Sequence, residues 1–549
     1  MSQNVPIGYW TGGDVRPEPY EEIISSAIQH VAQPVYLVKN KHRICMALHG
    51  QASFGSAAPQ HSTAGAKNRY ALVAVVPPLH PDALGDPYFK STLGLRYAYV
   101  VGAMANGITS VDMVEAAGKA GMIGFFGAAG LDLSRIEKAI EQLKQRMGGR
   151  PYGFNLIHSP SNPDLEFKTV CTYLERGINL VSASAYMDLT PALVYYRIKG
   201  IHRDSDGKVV CPNKVVGKIS REEVARKFFS PPSEKILTGL LEKGLLSQSE
   251  AELSQHVPVA EMLTAEADSG GHTDNRPALT LLPTILALRN QMVDMHRYKM
   301  PLCVGLGGGI ATPDAAAAAF SMGAAYVLTG SVNQACVEAG TSPTVRKLLA
   351  EAGQADVAMA PAADMFEMGV KVQVLKRGTM FPLRAAKLYD LYSRYPGYES
   401  IPQKDRILLE RDFFRGSFSE EWNQTRAFFE IRDPSQISKA ESDPRHKMAL
   451  VFRSYLGRSS NWANTGEPSR RMDYQIWCGP SIGAFNAWVK DTFLEQPDNR
   501  SIAVVAMNLM LGAAALMRFT QLKNQGISLP ANAFRYVPMP LADIEKLLL

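Results

Sequence analysis

The chain has 549 residues, 46% of them apolar and 20% charged, with 58 basic against 52 acidic side chains. This is the usage of an ordinary globular protein, long enough for a large central domain with added segments, and it excludes disordered and collagen-like classes. The net charge of +6 is spread along the chain, so it implies no nucleic-acid partner; Lys39, Lys41 and Arg43, or Arg470 and Arg471, read as solvated surface.

Residues 1–90 carry a helical stretch (Glu21 to Val31), a strand-like run (Pro34 to Val38) and a polar Gly/Ser/Ala segment from Gly50 to Lys67. This predicts a small α/β segment and a linker. From about residue 97, short apolar runs alternate with amphipathic helices, as in a parallel sheet with helical crossovers. The eight runs are Tyr97–Gly102, Met122–Phe126, Tyr152–Ile157, Asn179–Ala183, Val215–Ile219, Val259–Ala265, Leu302–Leu306 and Tyr326–Thr329. Ile136, Ile140, Leu143 and Met147 recur at helical spacing, and Thr312-Pro313-Asp314 supplies an N-cap with a first-turn proline. Eight β/α units predict a (β/α)₈ TIM barrel over residues 91–385, with an open doubly wound sheet as the alternative. The turn signal Asp204-Ser205-Asp206-Gly207, inside the long interval Tyr186 to Asn213, predicts an inserted hairpin after the fourth strand. Residues 386–549 turn helical and aromatic, which predicts a C-terminal helical domain serving as a lid or a docking surface. Its apolar window Ile502 to Met517 carries Asn508 and is short for a bilayer crossing, so it reads as a buried helix and no membrane span is expected. The N-terminus MSQNVPIGYW lacks the pattern of a signal peptide. Six scattered cysteines without CxxC or Cys/His ligand spacing fit a reducing cytoplasm and no metal site.

In such a barrel the chemistry sits on the loops after the strands. After the seventh strand comes Gly307-Gly308-Gly309, and after the eighth Thr329-Gly330-Ser331. Glycines admit backbone N–H groups close to a ligand, so the two loops together predict a cradle for one phosphate, although either alone would be better read as a tight βα turn. The dinucleotide fingerprint GxGxxG is not met, because Ile310 stands where the third glycine belongs. The sixth strand runs into Gly270-Gly271-His272, which predicts backbone against a flat ligand and an imidazole in the barrel mouth. Gly102, Ala103 and Met104 after the first strand offer small residues and a thioether to a ring system, or plain core packing. Asn155 on the third strand offers an amide to a ring edge. Cys336 lies past the eighth strand and reads as buried, and neither a Walker A loop nor HExxH is present.

Assembled, these loops resemble the 2-nitropropane dioxygenase (nitronate monooxygenase) superfamily, and within it the PfaD-type trans-acting enoyl reductases of polyunsaturated fatty acid and polyketide synthases. Residues of about 95 to 380 carry the superfamily likeness, through Gly102-Ala103-Met104-Ala105, Gly124-Phe125-Phe126-Gly127, Tyr152-Gly153-Phe154-Asn155, Gly270-Gly271-His272, Gly307-Gly308-Gly309-Ile310 and Thr329-Gly330-Ser331. The closer likeness extends to the tail, around Arg453-Ser454-Tyr455-Leu456 and Asp473-Tyr474-Gln475-Ile476-Trp477-Cys478-Gly479-Pro480. The resemblance implies bound FMN reduced by NADPH or NADH, an enoyl thioester substrate on acyl carrier protein domains of a synthase, and His272 as catalytic residue. A homodimer is compatible with it. Asp268 and Ser269 replace the superfamily's usual Glu-Ala, and Asp274 stands for a glycine, which favours the synthase branch over nitroalkane oxidation. The alternatives are a nitronate monooxygenase-like flavoenzyme and a non-catalytic docking subunit.

Overall fold

The computed structural model describes residues 6–12, 16–55, 69–159, 162–529 and 533–549. Its centre is a closed barrel of eight parallel strands, Tyr99–Val101, Ile123–Phe126, Gly153–Ile157, Leu180–Ser184, Lys214–Ile219, Met262–Glu266, Cys303–Gly307 and Val327–Thr329, so the closed form of the expected sheet is the one adopted. Each strand pairs with its chain neighbour, and the eighth closes on the first through Val327 opposite Tyr99 and Thr329 opposite Val101. Side chains alternate in and out along each strand. Val100, Ile123, Phe125, Leu180, Val216, Met262, Cys303 and Leu328 fill the interior, and the helix Pro87–Leu93 closes the N-terminal end with Phe89 stacked 4.1 Å from Tyr326. Burial of this apolar set drives closure.

The N-terminal segment is larger than its sequence suggests. It is a six-stranded antiparallel sheet in the order Glu18–Pro19, Arg43–Ala47, Val35–Asn40, Arg69–Val76, Gly8–Thr11, Gln51–Phe54, with the helix Tyr20–Gln29 against it. The expected linker from Gly50 to Lys67 begins as one of these strands, and its remainder from 56 onward lies outside the described residues. The inserted hairpin exists as His202–Arg203 against Val209–Val210, but it follows the helix Pro191–Ile198 and therefore approaches the fifth strand from the far end of the barrel.

Two further β-strands, Val357–Pro361 and Lys371–Leu375, lie beyond the barrel and form an antiparallel hairpin that the sequence reading does not contain. From Phe381 onward the chain is helical, including Phe381–Arg394, Phe418–Arg432 and Pro444–Thr465. The long apolar helix Ile502–Asn524 is buried as expected, with 78% of its most apolar window inside the protein. It packs on the barrel helix Pro313–Ser321, and a Cβ on Gly512 would lie 2.6 Å from Pro313. Asn508, the polar residue in that window, is satisfied by Tyr536 and by the backbone of Val504 and Met539. Buried Arg518 donates to the carbonyls of Ala27, Ile28, His30 and Gln33, at and just past the end of the first helix, where carbonyls run out of intrahelical partners.

Candidate functional site

The loop after the sixth strand is not free. Gly271 and His272 form a short strand paired antiparallel to the hairpin, Gly271 opposite Gln373 and His272 opposite Val372. Buried Gln373 donates 2.8 Å bonds to Asp268 Oδ1 and to the Ser269 carbonyl, and Asn275 donates 2.7 Å to the same carboxylate oxygen. Asp274 accepts two bonds from Arg221 (2.9 and 3.1 Å) and one from Ser220 (2.6 Å), tying this loop to the one after the fifth strand. The Arg221 hydrogen bond, more than offsetting partial burial, holds the Asp274 carboxyl at about 2. Two of the three departures singled out in the sequence, Asp268 and Asp274, are therefore loop fasteners.

His272 Nε2 lies 3.2 Å from Asp364 Oδ1, in the hairpin's turn, and the imidazole remains 34% exposed. Burial disfavours its charged form, but the Asp364 bond and the charges of Asp364 and Glu266 outweigh that and the repulsion of Lys218, so it titrates above its usual value. Asp364, in turn, is held below the usual carboxylate range: burial opposes its charge, and the bond to His272, the charges of His272 and Arg453 and its own backbone N–H together overcome it. Glu266 and Lys218, inward at the ends of the sixth and fifth strands, form a 2.7 Å ion pair beneath the loop, with Ser269 Oγ 3.3 Å from Glu266. Asp364, Lys218 and Glu266 were missed by sequence reasoning. A lysine at an inward position of the strand end in Val215-Val216-Gly217-Lys218 carried a signal for the pair; Asp364, ninety-two residues from His272, carried none.

The glycines sort into two groups. A Cβ on Gly270 would lie 2.6 Å from the Cys478 backbone, one on Gly308 2.7 Å from the Ala267 backbone, and ones on Gly102 and Gly307 against Leu328 and Thr264. These four are required by packing, and for Gly270 the neighbour is the C-terminal segment. Gly271, Gly309 and Gly330 have nothing within 4 Å of a built Cβ. Gly309 sits at φ 76°, which itself asks for glycine, whereas Gly330 at φ −130° has neither crowding nor a left-handed backbone to explain it. The two loops after the neighbouring seventh and eighth strands thus leave open backbone at the rim.

Other candidates fall out differently. The Thr329 hydroxyl is spent inside the barrel wall: it donates 2.7 Å to Tyr99 and accepts 2.8 Å from Asn333, so it fastens the first and eighth strands. Ser331 Oγ accepts from Gly479 N at 3.0 Å. Asn155 donates to the Ser182 carbonyl (3.1 Å) and Ser184 Oγ (3.3 Å), leaving its side-chain Oδ1 without a hydrogen-bond partner among the described residues. Ala103 and Met104 are half-buried on a turn pinned by Thr109, whose hydroxyl accepts from Met104 N and donates to the Gly102 carbonyl at 2.8 Å each. Cys336 is fully buried. Gly479-Pro480-Ser481-Ile482-Gly483 fits the GxSxG spacing of a hydrolase elbow, but Gly479 faces the Ser269 backbone and Gly483 that of Gln354, and no histidine bonds Ser481 among the described residues. Its glycines serve packing.

The nitronate monooxygenase profile matches residues 89–391, and that of the [acyl-carrier-protein] S-malonyltransferase inserted helical domain matches 395–474. A polyunsaturated fatty acid synthase component of Thraustochytrium sp. (strain ATCC 26185 / S-3) is 46% identical over 477 residues, 85% of this chain but 32% of that protein. Polyketide biosynthesis protein PksE of Bacillus subtilis (strain 168) is 44% identical over 437 residues, 79% of this chain and 57% of PksE. The chain therefore spans about a third and somewhat over half of these two relatives. Among solved structures, the enoyl reductase domain of MlnA from the macrolactin biosynthesis cluster of Bacillus amyloliquefaciens superposes with a TM-score of 0.77 at 38% identity, covering 81% of this chain and 99% of that one. With its profile matched over more than half the sequence and its barrel closed as described, this chain belongs to the nitronate monooxygenase family of oxidoreductases.

Proposed function

We propose that the protein is an FMN-dependent enoyl reductase that uses NADPH or NADH to reduce the α,β-double bond of an enoyl thioester carried on acyl carrier protein during polyunsaturated fatty acid or polyketide synthesis. The observation that carries this reading is a carboxylate-paired histidine, His272 with Asp364, at the barrel face that also holds the open backbone of Gly309 and Gly330. That open backbone fits a mononucleotide phosphate, since a side chain at Gly330 would fill space that no packing atom claims. Gly307, Gly308, Gly309, Gly330 and Ser331 would hold the phosphate, and Gly102, Ala103, Met104, Asn155, Gly270 and Gly271 would line the ring system, with Thr329 supporting the wall behind them. Bound flavin would supply the redox step, accepting hydride from the nicotinamide and passing it to the β-carbon of the thioester.

His272 serves the other half of the chemistry. As hydride arrives, negative charge grows on the thioester oxygen, and a donor there lowers the barrier. The Asp364 and Glu266 charges keep the imidazole protonated to higher pH than usual, so it can donate toward that oxygen or deliver the proton to the α-carbon. The likeness to the MlnA enoyl reductase domain over almost its whole length supports the reduction, while the family profile supports a second reading, oxygen-consuming nitronate oxidation through the same face.

The test is an absorbance spectrum, identification of released flavin, and anaerobic titration with NADPH followed by a crotonyl thioester. FMN that bleaches with NADPH and recovers its colour on the thioester is expected. Fast nitronate-dependent oxygen uptake without thioester reduction would favour the second reading, and protein that stays colourless with added FMN would leave only a docking role. The carrier partner is expected to bind more weakly as salt rises, because acidic carrier surfaces suit a chain of charge +6.

A further inference from the structure

Asp364 stands in the hairpin's turn, between Val357–Pro361 and Lys371–Leu375, and the turn is gripped from the C-terminal helices. Phe366 is fully buried there, 5.2 Å from Tyr392 and 5.5 Å from Tyr389 on the helix Phe381–Arg394, and 6.4 Å from Phe452 on the helix Pro444–Thr465. The neighbour of Phe452, Arg453, brackets Asp364 in sequence: its Nε donates 2.9 Å to the Ala363 carbonyl and its Nη1 3.0 Å to Glu367 Oε1. A planar guanidinium presents these two donors on separate nitrogens in a fixed fork, which the single nitrogen of an ammonium does not. Among the described residues, the Asp364 carboxylate has no side-chain hydrogen-bond partner other than His272.

We propose that Arg453 is a positioning residue for His272, clamping the hairpin's turn so that Asp364 stays on the imidazole and coupling the C-terminal helical part to the reacting face of the barrel. The proposal rests on the reading of His272 given above. The groups facing His272 are Asp364 from the turn, Glu266 from the sixth strand and Lys218 from the fifth; those facing Asp364 are His272 and Arg453. Losing Arg453 acts on Asp364 twice, by loosening its seat and by removing a positive charge that favours its ionised form. Both effects weaken the partner that keeps His272 protonated, so the imidazole is expected to titrate at lower pH.

The experiment is a titration of His272 by NMR in the whole protein with ¹³C-labelled histidine, its signal assigned by its absence in His272→Gln, alongside the pH profile of enoyl reduction. Asp364→Asn and Arg453→Met should each move the His272 midpoint to lower pH, and the double variant should move it no further than Asp364→Asn alone. Turnover should lose on the order of tenfold at pH 8 and recover most of it at pH 6, since a general acid acts only while protonated. Arg453→Lys, which keeps the charge and one of the two bonds, should restore part of the shift and stands in if Arg453→Met does not fold. A purely structural Arg453 would lower turnover alike at every pH. An unmoved His272 midpoint in a folded Arg453 variant, or a double variant whose shift is the sum of the two, would overturn the proposal. The midpoint is read without substrate, so a wild-type protein that reduces no enoyl thioester would defeat the functional reading while leaving this result to stand or fall separately.

Discussion

The loop after the sixth strand and the loops after the seventh and eighth strands share one face of the barrel and are built in opposite ways. The first is fastened by the Asp268–Gln373–Asn275 network, by Asp274 on Arg221, by the Cys478 backbone against Gly270, and by Asp364 on its histidine. The others end in Gly309 and Gly330, where a Cβ would have nothing within 4 Å. A reacting group needs its orientation fixed in advance, and a phosphate cradle needs exposed backbone and room. Crowding sorts the glycines position by position within these loops: Gly270 and Gly308 press on backbone, whereas Gly271, Gly309 and Gly330 face room.

Substitutions can break this contrast from either side. The largest effect is expected from Gly330→Val, which fills the open cradle without meeting protein: FMN affinity, read by flavin fluorescence, should fall about 100-fold or more, roughly 3 kcal/mol, while the unfolding temperature stays unchanged. A variant that retains FMN as tightly as the wild type would show that Gly330 is only a turn residue. Gly270→Ala should do the reverse, because its Cβ lands 2.6 Å from the Cys478 backbone. A loss of about 1–3 kcal/mol in stability is expected from such overpacking, seen as a lower unfolding midpoint; an unaltered midpoint would mean that the C-terminal segment does not press on the histidine loop.

The smallest effect belongs to Asp274→Asn. Asp274 has its carboxyl lowered to about 2 in the fold, so its pair with Arg221 stabilises above the ordinary carboxylate value of about 4 and loses that contribution as pH falls toward 2. Partial exposure keeps the effect under about 1 kcal/mol. The variant should be slightly less stable than wild type from pH 5 to 7 and indistinguishable from it near pH 2; a stability gap that persists at pH 2 would remove the ion pair as its cause.

The barrel was legible because each strand is a short apolar run followed by a helix, and several of those helices carry their own start signal, as at Asp132 before Leu133 and Thr312 before Pro313. Those signals are local. The hairpin of Val357–Pro361 and Lys371–Leu375 was not legible, since its pairing partner is two residues of the histidine loop about a hundred positions earlier. The strands Gly8–Thr11 and Gln51–Phe54, the last two on one side of the N-terminal sheet, are four residues each and depend on Arg69–Val76 and on one another for their hydrogen bonds. His272 and the glycine loops could be named from the sequence, but which glycines face room and which face backbone, and which carboxylate meets the imidazole, are set by tertiary contacts alone.

The most direct test of His272 as the reacting side chain is the rate at which reduced, FMN-loaded protein is reoxidised by a crotonyl thioester without oxygen, compared between wild type and His272→Ala. The variant should keep its FMN and its reduction by NADPH but reoxidise about 100-fold or more slowly, the usual worth of a positioned proton donor. Equal reoxidation rates in the two proteins would contradict the assignment and return the face of the barrel to a search for another donor.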